Sequence, residues 1–260
     1  MINLRIVERL EEFWYNLILT IPFAEEINGA AVTCYPELPI FHFNHAAAIN
    51  IDNKEAEALL ERVTEHFQSR NFPYTCFRTS PLTRPKTFTS LLEMRGFEKK
   101  LEELVMVFKG KQLDDQLNPD IKVEEVTETE IDVYSKLFLI NFEIPMKWKR
   151  GVDRLALNWM EQGWKCYLAY FKGKPVGTCL LSSLNGTGGI FNVGTLKEHR
   201  RRGVGTALTV HALTNSIEEG NSLHTLETLK GGNAEHLYKK IGFKTEHTIS
   251  YFAKENHSEK

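Results

Sequence analysis

Apolar residues recur at helical spacing over residues 2–20, where Ile2, Ile6, Leu10, Phe13 and Leu17 fall near one face, and the run stops before Pro22. Between 27 and 51 the pattern predicts two strands, one around AAVTCY and one over IFHFNHAAAINI, entered through a turn region holding Pro36 and Pro39. Residues 53–69 predict an amphipathic helix with Ala56, Leu59, Leu60, Val63 and Phe67 on its apolar face. A short strand at Tyr74–Arg78, a helix at Thr87–Arg95 and a strand at Phe97–Phe108 complete a first series.

The pattern then lapses. Lys109–Asp120 is polar, holds an Asn-Pro step and reads as a linker. The second series runs strand Ile121–Val126, helix Glu128–Phe142 and helix Val152–Gln162. Strands Trp164–Phe171 and Pro175–Ser183 follow, joined by the hairpin signal Lys172-Gly173-Lys174. A Gly-rich turn at Asn185–Gly189, a strand from Ile190 and a helix to about Glu219 come next. Strand Leu223–Leu229, helix Asn233–Ile241, strand Phe243–Phe252 and a frayed polar end, Lys254–Lys260, close the series.

The two series share an ending. Leu91–Glu98 lines up with Leu237–Lys244, and Gly242 stands 146 positions after Gly96. Each block is a helix ended by Gly and restarted by Phe into a strand, which suits Gly at the C′ position. The element order repeats as well, so the chain reads as two copies of one fold, the first shorter at its start. The predicted class is α/β (α+β), with two modules, each a mixed, mostly antiparallel twisted sheet flanked by helices. Their bounds are 1–110 and 120–260.

Composition narrows the partners. At 260 residues and a net charge of −2, the chain is not a general nucleic-acid binder, so its arginine cluster is local. No apolar run approaches the ~20 residues of a membrane helix. Glu8, Glu11 and Glu12 interrupt any signal-peptide core. The four cysteines (Cys34, Cys76, Cys166 and Cys179) have no CxxC spacing and read as reduced thiols of a cytoplasmic protein. His42 and His45, three apart on a predicted strand, would face opposite ways, so no metal site is expected.

The chemistry concentrates at Ile190–Leu208, where a strand feeds a loop of three arginines and two glycines that opens a helix. A helix N-terminus offers unpaired N–H groups and a positive dipole end, and glycines let backbone approach an anion. Arg200-x-x-Gly203-x-Gly205 resembles the pyrophosphate-binding signature of the GNAT superfamily, the Gcn5-related N-acetyltransferases. The block from Asn233 through Tyr238 to Gly242-Phe243 is similar to that family's tail motif, with a compressed Asn-to-Tyr spacing. The resemblance covers about Ile121 to Phe252.

The resemblance implies transfer of an acetyl group from acetyl-CoA to a primary amine of a small molecule or peptide, without a metal. It implies that Arg200, Arg201, Arg202, Gly203, Val204, Gly205 and Thr206 hold the pyrophosphate. Val193, Gly194 and Thr195 would pair the pantetheine amides, and Asn233 would cap its helix and touch the cofactor. Gly194 inside a strand reads as a bulge, a close backbone approach or a plain weak position. Tyr238 stands where the family's thiolate-protonating tyrosine stands. Thr225-Leu226-Glu227-Thr228 resembles the strand of family members that acetylate protein N-termini, which makes Glu227 the candidate base. A solvated or Lys230-paired Glu227, with the proton leaving through water, stays open. Glu143 is a weaker candidate for holding the amine.

The first series departs from the pattern. Its matching loop reads NHAAAINIDNKE, with Asp52 as helix cap and Glu55 in the first turn, and Leu92 stands where Tyr238 stands. It therefore resembles a degenerate copy that shapes the acceptor site. A non-catalytic acyl-CoA sensor and an enzyme using a longer acyl-CoA remain alternatives. A monomer or a homodimer fits, with no nucleic-acid or membrane partner.

Overall fold

The computed structural model describes residues 3–110 and 117–256. Half of the expected linker, residues 111–116, and the last residues of the expected frayed end lie outside that range. The first series contains α1 (Leu4–Leu19), β1 (Ala24–Ile27), β2 (Ala30–Cys34), β3 (Asn44–Ala47), α2 (Ala56–Ser69), β4 (Tyr74–Thr79), α3 (Phe88–Met94) and β5 (Glu98–Phe108). The second contains β6 (Ile121–Glu125), α4 (Ile131–Asn141), α5 (Lys149–Glu161), β7 (Lys165–Phe171), β8 (Lys174–Leu184), β9 (Thr187–Thr195), α6 (Val204–Glu218), β10 (Leu223–Leu229), α7 (Asn233–Ile241) and β11 (Phe243–Glu255).

The chain forms two compact units, Met1–Leu104 with Glu246–Lys260, and Val105–Thr245. The boundaries fall inside β5 and β11. The sequence pattern assigns 120–260 to one domain, yet the end of the chain groups with the first unit. The reason is strand pairing: Ser250–Glu255 of β11 lie antiparallel to Tyr74–Thr79 of β4.

In the first unit β1–β2 and β2–β3 are antiparallel, while β3 and β4 are parallel and joined through α2. Ala30, Val32, Cys34, Ala46, Phe77 and Phe252 bury one sheet face against Leu59, Val63 and Phe67 of α2 and Phe88, Leu91 and Leu92 of α3. Burial of such side chains contributes roughly 1.5–3 kcal/mol each. The other face lies under α1, whose Val7, Leu10, Phe13, Trp14, Leu17 and Ile18 are buried at i, i+3, i+4 spacing.

Two local readings need correction here. The long strand predicted from Ile40 begins only at Asn44, because Phe41–Phe43 form a 3-10 turn. The Asn44 amide donates to the Leu38 and Ile40 carbonyls at 2.8 and 2.9 Å and holds that turn. The edge strand β1, absent from the pattern, exists because Asn28 and Gly29 both take positive φ (48° and 78°), the geometry of a two-residue hairpin.

The second unit orders its strands β10-β9-β8-β7-β6. All neighbours are antiparallel except β9 and β10, which are parallel and joined through α6. Lys172-Gly173 and Asn185-Gly186 again take positive φ at both positions and close tight hairpins. The second of these turns is shorter than the predicted Gly-rich turn, since Thr187–Gly189 already belong to β9. Gly188 must be glycine: a Cβ there would lie 1.8 Å from the Ser216 hydroxyl oxygen. Among the described residues, no helix is long and apolar enough to cross a membrane.

Candidate active site

The parallel pair β9–β10 does not stay paired. Its register runs from Leu223↔Thr187 to Leu226↔Ile190 and stops. Yet β9 continues to Thr195 and β10 to Leu229. A bulge in β9 lies at the divergence. Thr178 of β8 faces Gly194 and Leu180 faces Phe191, so Cys179 alone opposes Asn192 and Val193. Asn192 takes φ 55°, and its carbonyl accepts from the Thr178 hydroxyl at 3.0 Å. The extra residue turns the end of β9 away from β10 and leaves a slot walled by strand backbone.

Gly194 combines both specific sequence readings. It sits beside the bulge, and a Cβ on it would meet the Cβ of Asn141 at 2.7 Å, so α4 packs directly on its backbone. Gly177, behind it on β8, is as tight: a Cβ there would lie 2.8 Å from the Gly194 carbonyl oxygen.

The slot ends at the start of α6. Gly203 takes φ 91° as the N-cap residue, a conformation that favours glycine, and Arg201 before it takes φ 64°. Ala207 donates to the Gly203 carbonyl at 2.9 Å. The N–H groups of Arg201 through Thr206 find no backbone acceptor among the described residues. They form a cluster of donors at the positive end of a helix dipole. The Asn118 amide donates to the Arg202 carbonyl at 2.9 Å, which ties back a group of this turn that would repel an anion.

The arginines divide their work. Arg200 Nε donates to the Thr195 carbonyl at 3.2 Å and braces the loop against the end of β9. The Arg202 guanidinium lies 5.2 Å over the Phe171 ring. All three arginines are solvent-exposed. A Cβ on Gly205 would sit 3.2 Å from Leu237 and 4.0 Å from the Thr195 hydroxyl. The end of β9, the first turn of α6 and the face of α7 therefore meet at that glycine.

Tyr238, next to Leu237, is the only residue of α7 that is fully buried. Burial, and then the neighbouring Cys179 thiol, push its hydroxyl above the usual phenol range, so it holds a proton at neutral pH. Glu227 is the first residue of β10 beyond the ladder, half-buried at the mouth of the slot.

The remaining candidates stand apart. Glu143 is exposed, and Lys197 takes its carboxylate at 2.8 Å; that hydrogen bond and charge hold its pKa below the usual range. Asn233 does not cap α7. Gly232 is the N-cap, and the Glu235 carboxylate reaches back to the Gly231 N–H at 3.0 Å. A carboxylate that serves the helix start leaves Asn233 exposed in the first turn. Asn118, Asn141 and Asn192 had no signal in the sequence beyond their residue type, because each acts across the fold.

The corresponding step of the first unit looks different. Beyond β3 and β4, Asn50 bridges Arg84 in parallel: Arg84 N–H donates to the Ile49 carbonyl at 2.9 Å, and Ile51 N–H to the Arg84 carbonyl at 3.4 Å. The loop 80–87 thus lays its own backbone where β9 and β10 leave a gap. Asp52 and Glu55 form a capping box at the start of the following helix. His42 and His45 are not on one strand, since His42 belongs to the 3-10 turn. Among the described residues, no group of three His, Cys, Asp or Glu is placed to hold a metal ion. The four cysteines are buried and free, and burial raises each thiol's pKa.

An antiparallel sheet with one splayed parallel pair, a β-bulge at the splay and a glycine-capped crossover helix is the GNAT fold. Residues 162–245, within the second unit, match the family model described as acetyltransferase (GNAT) domain. Among solved structures, a GCN5-related N-acetyltransferase from Kribbella flavida is similar at 15% identity and TM-score 0.72, over 96% of this chain and 95% of that one. One from Sphaerobacter thermophilus is similar at 20% identity and TM-score 0.62, over 78% and 69%. A tandem GNAT protein from the clavulanic acid biosynthesis pathway matches at 11% identity and TM-score 0.57, over 78% and 70%. At these identities the likeness is one of fold. No curated protein matches the chain by sequence.

Proposed function

We propose that the second unit transfers an acetyl group from acetyl-CoA to a primary amine of a small molecule or peptide. The observation that carries this reading is the early end of the β9–β10 ladder at Leu226↔Ile190, with a glycine-capped helix start at the end of the slot. Acetyl-CoA would supply an acyl group activated as a thioester. Val193–Thr195 would offer backbone groups to its amides, and the Arg201–Thr206 N–H cluster with the Arg200–Arg202 side chains would hold its pyrophosphate.

The chain's own residues manage the protons. Tyr238 keeps a hydroxyl proton to give to a leaving thiolate in a buried setting. Glu227 accepts the amine proton, directly or through a water. The first unit is a degenerate copy that holds no cofactor, because Arg84 takes up the backbone pairing at Asn50 and the acids Asp52 and Glu55 occupy its helix start. Calorimetric titration of the full chain with acetyl-CoA, followed by a screen of amines, amino acids and peptides for CoA release, tests the reading. One cofactor per chain and amine-dependent release support it. Binding without release for any amine would favour a sensor, and preference for a longer acyl-CoA would reassign the donor.

A further inference from the structure

The first unit carries an open cleft of about 780 Å3 where the β1–β2 turn, the segment after β3 and the loop before α3 come together. Four of the residues that line it are charged: the acids Asp52 and Glu55, and the cations Arg84 and Lys86. Opposite charges on one wall would ordinarily pair. Here each sign has found other partners.

The acids are served at the helix start. They form the capping box already described, with the Glu55 carboxylate accepting from the Asp52 N–H at 3.1 Å. Lys54 Nζ lies 3.9 Å from the Asp52 carboxylate. The positive end of the helix dipole adds to this, so both negative charges are compensated.

The cations have only neutral partners among the described residues. Arg84 Nη1 donates to the Thr83 carbonyl at 3.1 Å and to the Pro81 carbonyl at 3.3 Å. Lys86 Nζ donates to the same Pro81 carbonyl. Two cationic heads therefore meet at one uncharged oxygen. Partial desolvation, and then the Arg84 charge, hold the Lys86 ammonium below the usual lysine range, as expected of like charges with no anion between them.

Arg84 is also held in place. Its N–H donates to the Ile49 carbonyl at 2.9 Å, and its residue as a whole is half-buried. The two bonds at Nη1 fix the guanidinium and leave its Nε–Nη2 edge without a partner among the described residues. That edge is the fork that takes two oxygens of one oxyanion, and a fork already fixed loses little freedom on binding.

We propose that this cleft binds the carboxylate group of a small molecule, on the Nε–Nη2 edge of Arg84 beside the Lys86 ammonium. Asp52 and Glu55 line the same cleft, and their repulsion grows with the charge of the ligand. A carboxylate monoanion is therefore preferred to a phosphate dianion. The site stands whether or not the second unit transfers an acyl group.

The test uses the full chain, labelled with 15N at arginine and free of acetyl-CoA, at neutral pH and constant ionic strength. Sodium butyrate is the probe. Butyramide has its shape without the charge, n-butylammonium has the opposite charge, and inorganic phosphate supplies the dianion. Butyrate should move the Arg84 Nε–H resonance saturably, and butyramide and n-butylammonium should leave it in place. The resonance is assigned by its loss in Arg84→Lys. That variant keeps the charge without the fork and should weaken butyrate by about tenfold, read from the rise in Tm with butyrate concentration. Lys86→Gln, at an exposed position, should weaken it by about threefold. An unmoved Arg84 resonance overturns the site, as does an equal shift with butyramide or undiminished butyrate affinity in Arg84→Lys. Should Arg84→Lys unfold by circular dichroism, undiminished affinity in Lys86→Gln overturns it instead. Tighter binding of inorganic phosphate overturns the assignment to a carboxylate.

Discussion

The two parallel crossovers of this chain, β3–α2–β4 and β9–α6–β10, start from one topology and end in opposite states. In the second, a bulge at Asn192–Val193 turns β9 away, the ladder stops and the strand ends diverge. In the first, Arg84 enters the corresponding space and pairs with Asn50. The helix starts differ in the same sense. Gly203 opens α6 with bare amides, while Asp52 and Glu55 already satisfy the helix after β3. Topology therefore supplies a place for a slot. Whether the strand ends part follows one extra strand residue in the second crossover and the Asn50–Arg84 pairing in the first.

The sharpest way to break this contrast is to give the second crossover the character of the first. Gly203→Glu puts a side chain at φ 91° and an acid among the amides. Strain of about 1–3 kcal/mol and the charge together should weaken acetyl-CoA by roughly 100-fold or more. Disappearance of the cofactor-induced rise in Tm is the expected readout, and a rise of wild-type size would reject the pyrophosphate assignment.

Next in size is Tyr238→Phe. Loss of a general acid lowers kcat by about 100-fold or more, with the affinity for acetyl-CoA unchanged within about twofold. Steady-state rates beside a binding titration separate the two, and wild-type kcat would leave Tyr238 as buried packing alone.

A third test bears on the first unit's buried histidines. Burial, and then Arg78, lower the pKa of His45 to about 3 and of His247 to about 4, against about 6.5 in an unfolded chain. Between those values the unfolded state binds more protons. Stability is thus complete above about pH 6.5 and falls as pH drops toward 4, by roughly 2 kcal/mol per imidazole at pH 5. Urea unfolding at pH 7 and pH 5 measures the loss, and His247→Gln should shrink it. An identical pH dependence in the variant would mean that His247 is protonated in the fold.

The smallest effect belongs to Glu227→Gln. It should flatten the acid limb of the kcat/KM profile and lower the plateau by up to about tenfold. An unchanged limb assigns the proton to the water route.

Where information is local, the sequence is easy to read. The spacing of Ala56, Leu59, Leu60, Val63 and Phe67 marks α2 almost to the residue. Gly96 and Gly242, 146 apart, both end their helices at positive φ. The capping box at Asp52 and Glu55 follows from residue type and a three-residue spacing. The pattern misleads where a nearby polar side chain takes a backbone group that hydrophobic spacing does not record. Asn44 turns an expected strand into a 3-10 turn, and Glu235 takes over the helix start expected of Asn233.

By itself the sequence determined the class, two helix-and-strand series with a glycine-opened helix in the second, because periodicity, caps and positive-φ glycines act over a few residues. The tertiary structure alone decided that the end of β11 pairs with β4, that Arg84 pairs with Asn50 at one crossover, and that Asn118 and Asn141 fasten the other. It also gathered His45, Arg78 and His247 onto one buried face. These contacts join residues tens to hundreds of positions apart, and no local pattern records them, since their energy arises only when both partners lose water together.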